Sequence, residues 1–249
     1  MMIIRRIGLT GMLLALLLGA TSTRADSGFA LGQTRVVITQ EQGSTSVMAY
    51  SGPDSVPYLV KGAVSKQQNK IVPDPAFAVS PPLSRLEPGG RNTIRIRLLN
   101  AAGLPTDRES VFYLHMVGIP GRTTPIISPN KDAPGQEQQN TSNLSIGLGH
   151  IIKLFYRPNG IGTPGNDVYR QLSFSRVSGG VQVKNPSPYN ITLDSLRIGG
   201  KPVKFSATQP TMLPPFSQQV YSVNSTGKQV DWSVITDDGL DKSFQGTIQ

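Results

Sequence analysis

Side chains able to do covalent chemistry are scarce in this sequence. It has no cysteine and two histidines, His115 and His150. A thiolate nucleophile, a disulfide framework and a cysteine zinc site are therefore excluded, and a multi-histidine metal site lacks material. There is no Gly-x-Ser-x-Gly elbow, no His-Glu-x-x-His pair and no glycine-rich phosphate loop. His115 reads as a packed or solvated strand residue, not a ligand. The spacing that does point to a function is aliphatic: Leu144, Ile146 and Leu148 alternate with Ser145, Gly147 and Gly149. On a strand, that pattern puts large aliphatics on one face and almost nothing on the other. Two readings are open. It is an ordinary sandwich strand with its aliphatic side inward, or an edge strand lent to another chain. In the second case main-chain bonds supply affinity and alternate side chains fill pockets. The bare second face favours lending. So does the long polar stretch before it, residues 121–143, which carries Pro125, Pro129, Pro134 and Gly135 and is expected to be mobile.

The elements that must position such a strand are themselves strands. The chain has 249 residues, of which 26 are Gly and 20 Pro, and 16% are charged. Together Gly and Pro exceed the roughly 12% of an average protein, which means many turns and few long helices. So low a charge excludes a coiled coil and opposes wholesale disorder. Short alternating runs rich in β-branched and aromatic residues recur between Pro, Gly and Asn punctuation, at 34–38, 93–98, 111–116, 172–174, 181–183, 191–193 and 232–235. No window holds a 3.6-residue apolar period over four turns. The chain is expected to be all-β, with two sandwiches of about 130 and about 90 residues. Residues 156–166, dense in Pro and Gly, mark the junction, giving domains 26–157 and 158–249.

The first 25 residues read as a secretory signal peptide. Arg5 and Arg6 precede the apolar run 12–18, and the small residues Gly19, Ala20, Thr21 and Ser22 follow. Cleavage is expected after Ala25 or after Ser22. The run is too short to span a bilayer, and no later segment is long and apolar enough to do so. Losing Arg5, Arg6 and Arg24 lowers Lys plus Arg from 24 to 21 against 15 Asp plus Glu, leaving about +6. The remaining charges are scattered and there is one Trp, so nucleic acid is not expected as a partner. An exported, soluble, non-enzymatic protein is expected.

Residues 104–114, Leu-Pro-Thr-Asp-Arg-Glu-Ser-Val-Phe-Tyr-Leu, with Ile119-Pro120 after them, closely resemble the signature of the PapD-like family of periplasmic pilus-assembly chaperones. The likeness continues through residues 81–89, 152–158 and 185–189 (Asn-Pro-Ser-Pro-Tyr) and covers nearly the whole chain in order. It implies two immunoglobulin-like β-sandwich domains at an angle, with a cleft between them. It also implies a function: binding, folding and capping pilus (fimbrial) subunits by donor-strand complementation, as a 1:1 complex passed to an outer-membrane usher. No cofactor and no metal are implied, and self-association of the free protein stays open.

Carried over by position, the resemblance makes Arg35 and Lys153 the anchor for the subunit's C-terminal carboxylate. Leu144, Ile146 and Leu148 become the donor strand. Glu109, Arg157 and Asp237 become an interdomain network that fixes the angle. The alternative is an exported fimbrial subunit or adhesin of two sandwiches, but the N-terminal donor extension and disulfide usual in subunits are not evident. The sequence departs from the family at His115 (usually Asn), Gly121, Ala63 (commonly Trp) and Asp238 (often Tyr). Its 121–143 loop exceeds that of short-loop members, without the cysteine pair of long-loop members.

Overall fold

The computed structural model describes residues 28–121 and 147–249. Leu144, Ile146, nearly all of the 121–143 stretch and the leader lie outside those residues. The first half contains β1 (Phe29–Leu31), β2 (Arg35–Thr39), β3 (Ser44–Ser51), β4 (Tyr58–Ser65), β5 (Phe77–Ser80), β6 (Leu83–Leu86), β7 (Arg91–Leu98), β8 (Ser110–Pro120) and β9 (Leu148–Arg157). The second contains α1 (Asn166–Arg170), β10 (Ser173–Val177), β11 (Gly180–Asn185), β12 (Ile191–Ile198), β13 (Lys201–Pro202), β14 (Met212–Leu213), β15 (Ser217–Tyr221), β16 (Gln229–Ile235) and β17 (Asp241–Thr247). Each of the seven short runs at 34–38, 93–98, 111–116, 172–174, 181–183, 191–193 and 232–235 overlaps one of these strands, and the one helix among the described residues has five residues.

In the first half, a sheet ordered β1-β3-β7-β5 and a sheet ordered β2-β9-β8-β4-β6 enclose one core. The two-residue period explains it. On β7, Ile94 and Ile96 are buried while Arg91, Arg95 and Arg97 stay exposed, which is an antiparallel sheet with one wet face. Gly118 on β8 has a local reason, since a Cβ there would run into the ring of Phe29 and prevent β1 from seating.

The second half pairs a β10-β11-β15 sheet with a sheet ordered β13-β12-β16-β17, to which β14 adds on β12. Trp232 lies 4.8 Å from Phe174 and 5.8 Å from Phe244, centroid to centroid, at the centre of a separate core. The first core ends in sequence at Tyr156 and the second begins at Tyr169. Residues between them include Pro158, Gly160, Gly162, Pro164 and Gly165, which break both helix and ladder. The protein is thus two β-sandwiches.

The strand that matters most is β9. β8 runs antiparallel beside it from Leu148 to Tyr156, whereas β2 pairs with it in parallel only from Lys153 to Arg157. Its C-terminal half is therefore held on both edges, and Leu154, Phe155, Tyr156 and Arg157 are all buried. Its N-terminal half, 148–152, has no strand on its second edge among the described residues.

Candidate functional site

The parallel pairing of β2 with β9 sets Arg35 directly opposite Lys153. Two residues distant in sequence are thereby neighbours on one sheet. Both side chains reach the cleft between the sandwiches, a cavity of about 350 Å³ also lined by Thr34, Tyr113, Thr192 and Asp194. Arg35 is buried; its Nη1 donates to the carbonyl of Ile235 at 2.7 Å, its guanidinium lies 5.6 Å from the Phe155 ring centroid, and its Nε has no hydrogen-bond partner among the described residues. Lys153 Nζ donates to Thr192 Oγ1 at 3.3 Å. Among the described residues neither cation has a carboxylate within 4.0 Å.

The electrostatics follow from that placement. Burial, and then the adjacent Arg35, hold the Lys153 ammonium down at about 8. Burial also lowers Arg35, partly offset by the more distant Asp237, though a guanidinium stays charged at any physiological pH. Two desolvated cations side by side, one with an unused N–H, form a cavity that favours an anion. A planar carboxylate suits it, because each hydrogen bond to it is charge-assisted at both ends.

A second cluster lies farther along the same face of β9. Arg157 Nε donates to Glu109 Oε1 at 2.8 Å, and its Nη1 and Nη2 donate to Asp237 at 3.0 and 3.2 Å. Arg157 also covers the Tyr189 ring at 5.3 Å. The Arg157 and Glu109 side chains are 3% and 2% exposed, Asp237 34%. Glu109 spends its other oxygen on Asn190, whose backbone N–H donates at 2.9 Å and Nδ2 at 3.3 Å. Burial pushes the Glu109 carboxyl up, opposed by Arg157 and by those donors. Burial lowers Arg157, but its hydrogen bonds and charge pairing with Asp237 and Glu109 outweigh that and raise it. Glu109 immediately precedes β8, Arg157 ends β9 and Asp237 follows β16, so the triad joins the two sandwiches.

Leu148 is 39% exposed and Ile151 48% exposed, at the open end of β9. Leu148 shares its face with His150, Ile152 and the core residue Leu154. His150 Nε2 donates to the Phe29 carbonyl oxygen at 2.7 Å, so that nitrogen carries the proton. His115 is buried with Nε2 3.0 Å from the Gln67 carbonyl. Leu144 and Ile146 fall outside the described residues.

Three participants were not read from the sequence. Ile235 contributes a backbone carbonyl, which no side-chain pattern encodes. Thr192 and Asn190 follow the Asn-Pro-Ser-Pro-Tyr motif, and that motif is the signal that could have found them. Asn185 is fully buried, donating through Nδ2 to the carbonyls of Tyr189, Leu213 and Pro214 and accepting from Ser187. It shapes the loop that presents Asn190 to Glu109 and leads Thr192 to Lys153.

Comparison with known proteins gives the same picture. The model for the pili and flagellar-assembly chaperone PapD N-terminal domain matches residues 28–162, and that for the pili assembly chaperone PapD C-terminal domain matches residues 167–245. Chaperone protein PapD of Escherichia coli is 34% identical over 198 residues, covering 78% of this chain and 76% of that protein. Among solved structures, the E. coli chaperone DraB superposes with a TM-score of 0.71 at 29% identity, over 89% of this chain and 98% of its own. A chain from the Salmonella enterica complex of SafA pilin with the SafB chaperone gives 0.70 at 26%, over 90% and 100%. The two sandwiches are therefore immunoglobulin-like, and a fibre subunit is not the favoured reading. With both halves matched in order, the chain belongs to the PapD family of pilus-assembly chaperones and is a chaperone, not an enzyme.

Proposed function

We propose that this chaperone binds one pilus subunit at a time in the periplasm, gripping its C-terminal carboxylate with Arg35 and Lys153. The observation that carries this reading is the pairing of a buried arginine with a half-buried lysine across β2 and β9, with no carboxylate within 4.0 Å of either among the described residues. The solved SafA–SafB complex, a chaperone with a pilin, supports a subunit as the client.

In this reading residues 26–157 form the subunit-binding domain and residues 158–249 the second domain. The segment from Leu144 to Leu154 lies along the client as a donated strand, with Leu144, Ile146 and Leu148 as its inserted side chains. Leu148 is half-exposed beside an edge that β2 leaves open, and Leu144 and Ile146 share its parity in the sequence. Burying three such side chains yields about 5–9 kcal/mol before ordering costs. That suffices to hold an incomplete subunit while leaving it exchangeable. Anchor and donor strand set the register jointly, because a slip of one residue turns every aliphatic away. Glu109, Arg157 and Asp237 hold the two domains at the angle that keeps the cleft formed. The leader read at residues 1–25 would deliver the chain to the periplasm, and an outer-membrane usher would receive the complex.

The test is co-purification with a pilin from a periplasmic extract. Lys153→Ala is expected to leave a folded protein that captures no subunit, and Ile146→Asp to be exported but to lose the complex. Fibre assembly at the normal level in Lys153→Ala would overturn the anchor, and full recovery of the complex with Ile146→Asp would overturn the donor strand.

A further inference from the structure

Among the described residues, Phe216 is the one non-glycine residue with positive φ, at 54°. It sits in the Pro214-Pro215-Phe216-Ser217 turn between β14 and β15, at a turn position that ordinarily takes glycine. A bulky residue is strained there and persists only where its surroundings over-determine it. The surroundings do so: Phe216 N–H donates to the Ser187 carbonyl at 3.1 Å, Ser217 Oγ to the Pro214 carbonyl at 2.7 Å, and Asn185 Nδ2 to the Pro214 carbonyl at 2.9 Å. Those bonds are made by backbone atoms or by other residues, so a glycine would keep them all. They explain the turn and leave the ring unexplained.

The ring is half-exposed and lies under an arginine of the other sandwich. Arg108 Cζ is 4.9 Å from the Phe216 centroid. Its guanidinium is held flat by a two-pronged contact to Asp107, Nε to Oδ1 at 3.0 Å and Nη2 to Oδ2 at 2.7 Å. One residue on, Glu109 N–H donates to the Pro188 carbonyl at 2.9 Å. Strained ring, oriented cation and backbone bond thus converge on the same 187–188 loop.

We propose that Arg108 and Phe216 form a second clasp between the sandwiches, a cation–π contact beside the Glu109–Arg157–Asp237 cluster, which limits how far the cleft opens. Arg108 and Phe216 are positioning residues; they touch no client. This inference goes beyond the anchor assignment and its test uses no subunit.

The chain has no cysteine, so Thr93→Cys with Ser243→Cys, both at exposed strand positions, accepts one nitroxide on each sandwich. Pulsed electron resonance on the full mature protein then reads the interdomain distance distribution. Phe216→Gly is expected to raise or preserve the thermal midpoint, because strain is relieved, while broadening that distribution. Arg108→Gln, at an exposed site, is expected to broaden it to a similar extent, the double variant no further, and Phe216→Trp to restore it. A purely local role for the ring would lower the midpoint and leave the distance unmoved. Distributions for Phe216→Gly and Arg108→Gln that superpose on the parent would overturn the clasp while leaving the Arg35–Lys153 reading intact.

Discussion

Arg157 and Lys153 share one face of β9, four residues apart, yet they are opposite cases of a desolvated cation, the first buried and the second half-buried. Arg157 meets two carboxylates, and its charge is fully countered inside the molecule. Lys153 meets a threonine hydroxyl and a second cation, Arg35. Desolvation is unfavourable for both, and only the first is compensated by its own fold. A cation balanced internally holds two domains together; one left unbalanced at a cleft is complementary to a ligand's charge. The same strand divides in the same way along its edges: paired on both sides where the core lies, and on one side only at Leu148 among the described residues.

The largest effect expected from breaking this contrast is Arg157→Met. It strands Glu109, 2% exposed, without its counter-charge, and should cost about 3–5 kcal/mol in urea unfolding. Lys153→Ala removes a cation whose neighbours oppose it, so stability should hold or rise while subunit affinity drops by about 2–5 kcal/mol, read by calorimetry. Equal destabilisation by the two substitutions would show that the contrast is not real. Leu148→Ala comes next. With its side chain already 39% exposed, folding should change by less than about 1 kcal/mol and client affinity by about 2 kcal/mol.

The smallest effect is that of pH, and its sign is definite. In the free protein Lys153 is held down at about 8, so its charge opposes folding at neutral pH, and that penalty begins to fall as pH rises past about 8 and is gone only above the ordinary lysine range. A bound carboxylate reverses the preference and favours the charged form. Client binding therefore takes up a proton above pH 8, and affinity should weaken by at most about tenfold per unit as pH rises from about 8 towards the ordinary lysine range. Capture that stays level between about pH 7 and pH 9.5 would separate Lys153 from the anchor.

Much of the fold was legible. The alternation in residues 93–98 and 232–235 places Ile94, Ile96, Trp232 and Val234 inside, as found, because a strand's period admits one arrangement when one face is wet. The Pro- and Gly-rich stretch likewise falls between the two cores, where neither ladder nor helix can continue. The site was legible only by resemblance. Arg35 and Lys153 lie in unlike contexts, and nothing in their spacing says that β2 joins β9 in parallel. Arg108 and Phe216 escaped for the same reason: a cation and a ring in separate turns carry no periodic signal.

Residue order alone determined the all-β character, the aliphatic alternation at 144–148 and the want of catalytic side chains, since each depends on composition or on a local period. Tertiary structure decided which charges are answered. Whether a cation is neutralised depends on what stands a few ångströms away through space, and among the described residues a parallel strand pairing and a domain junction bring two acids to Arg157 and none to Lys153.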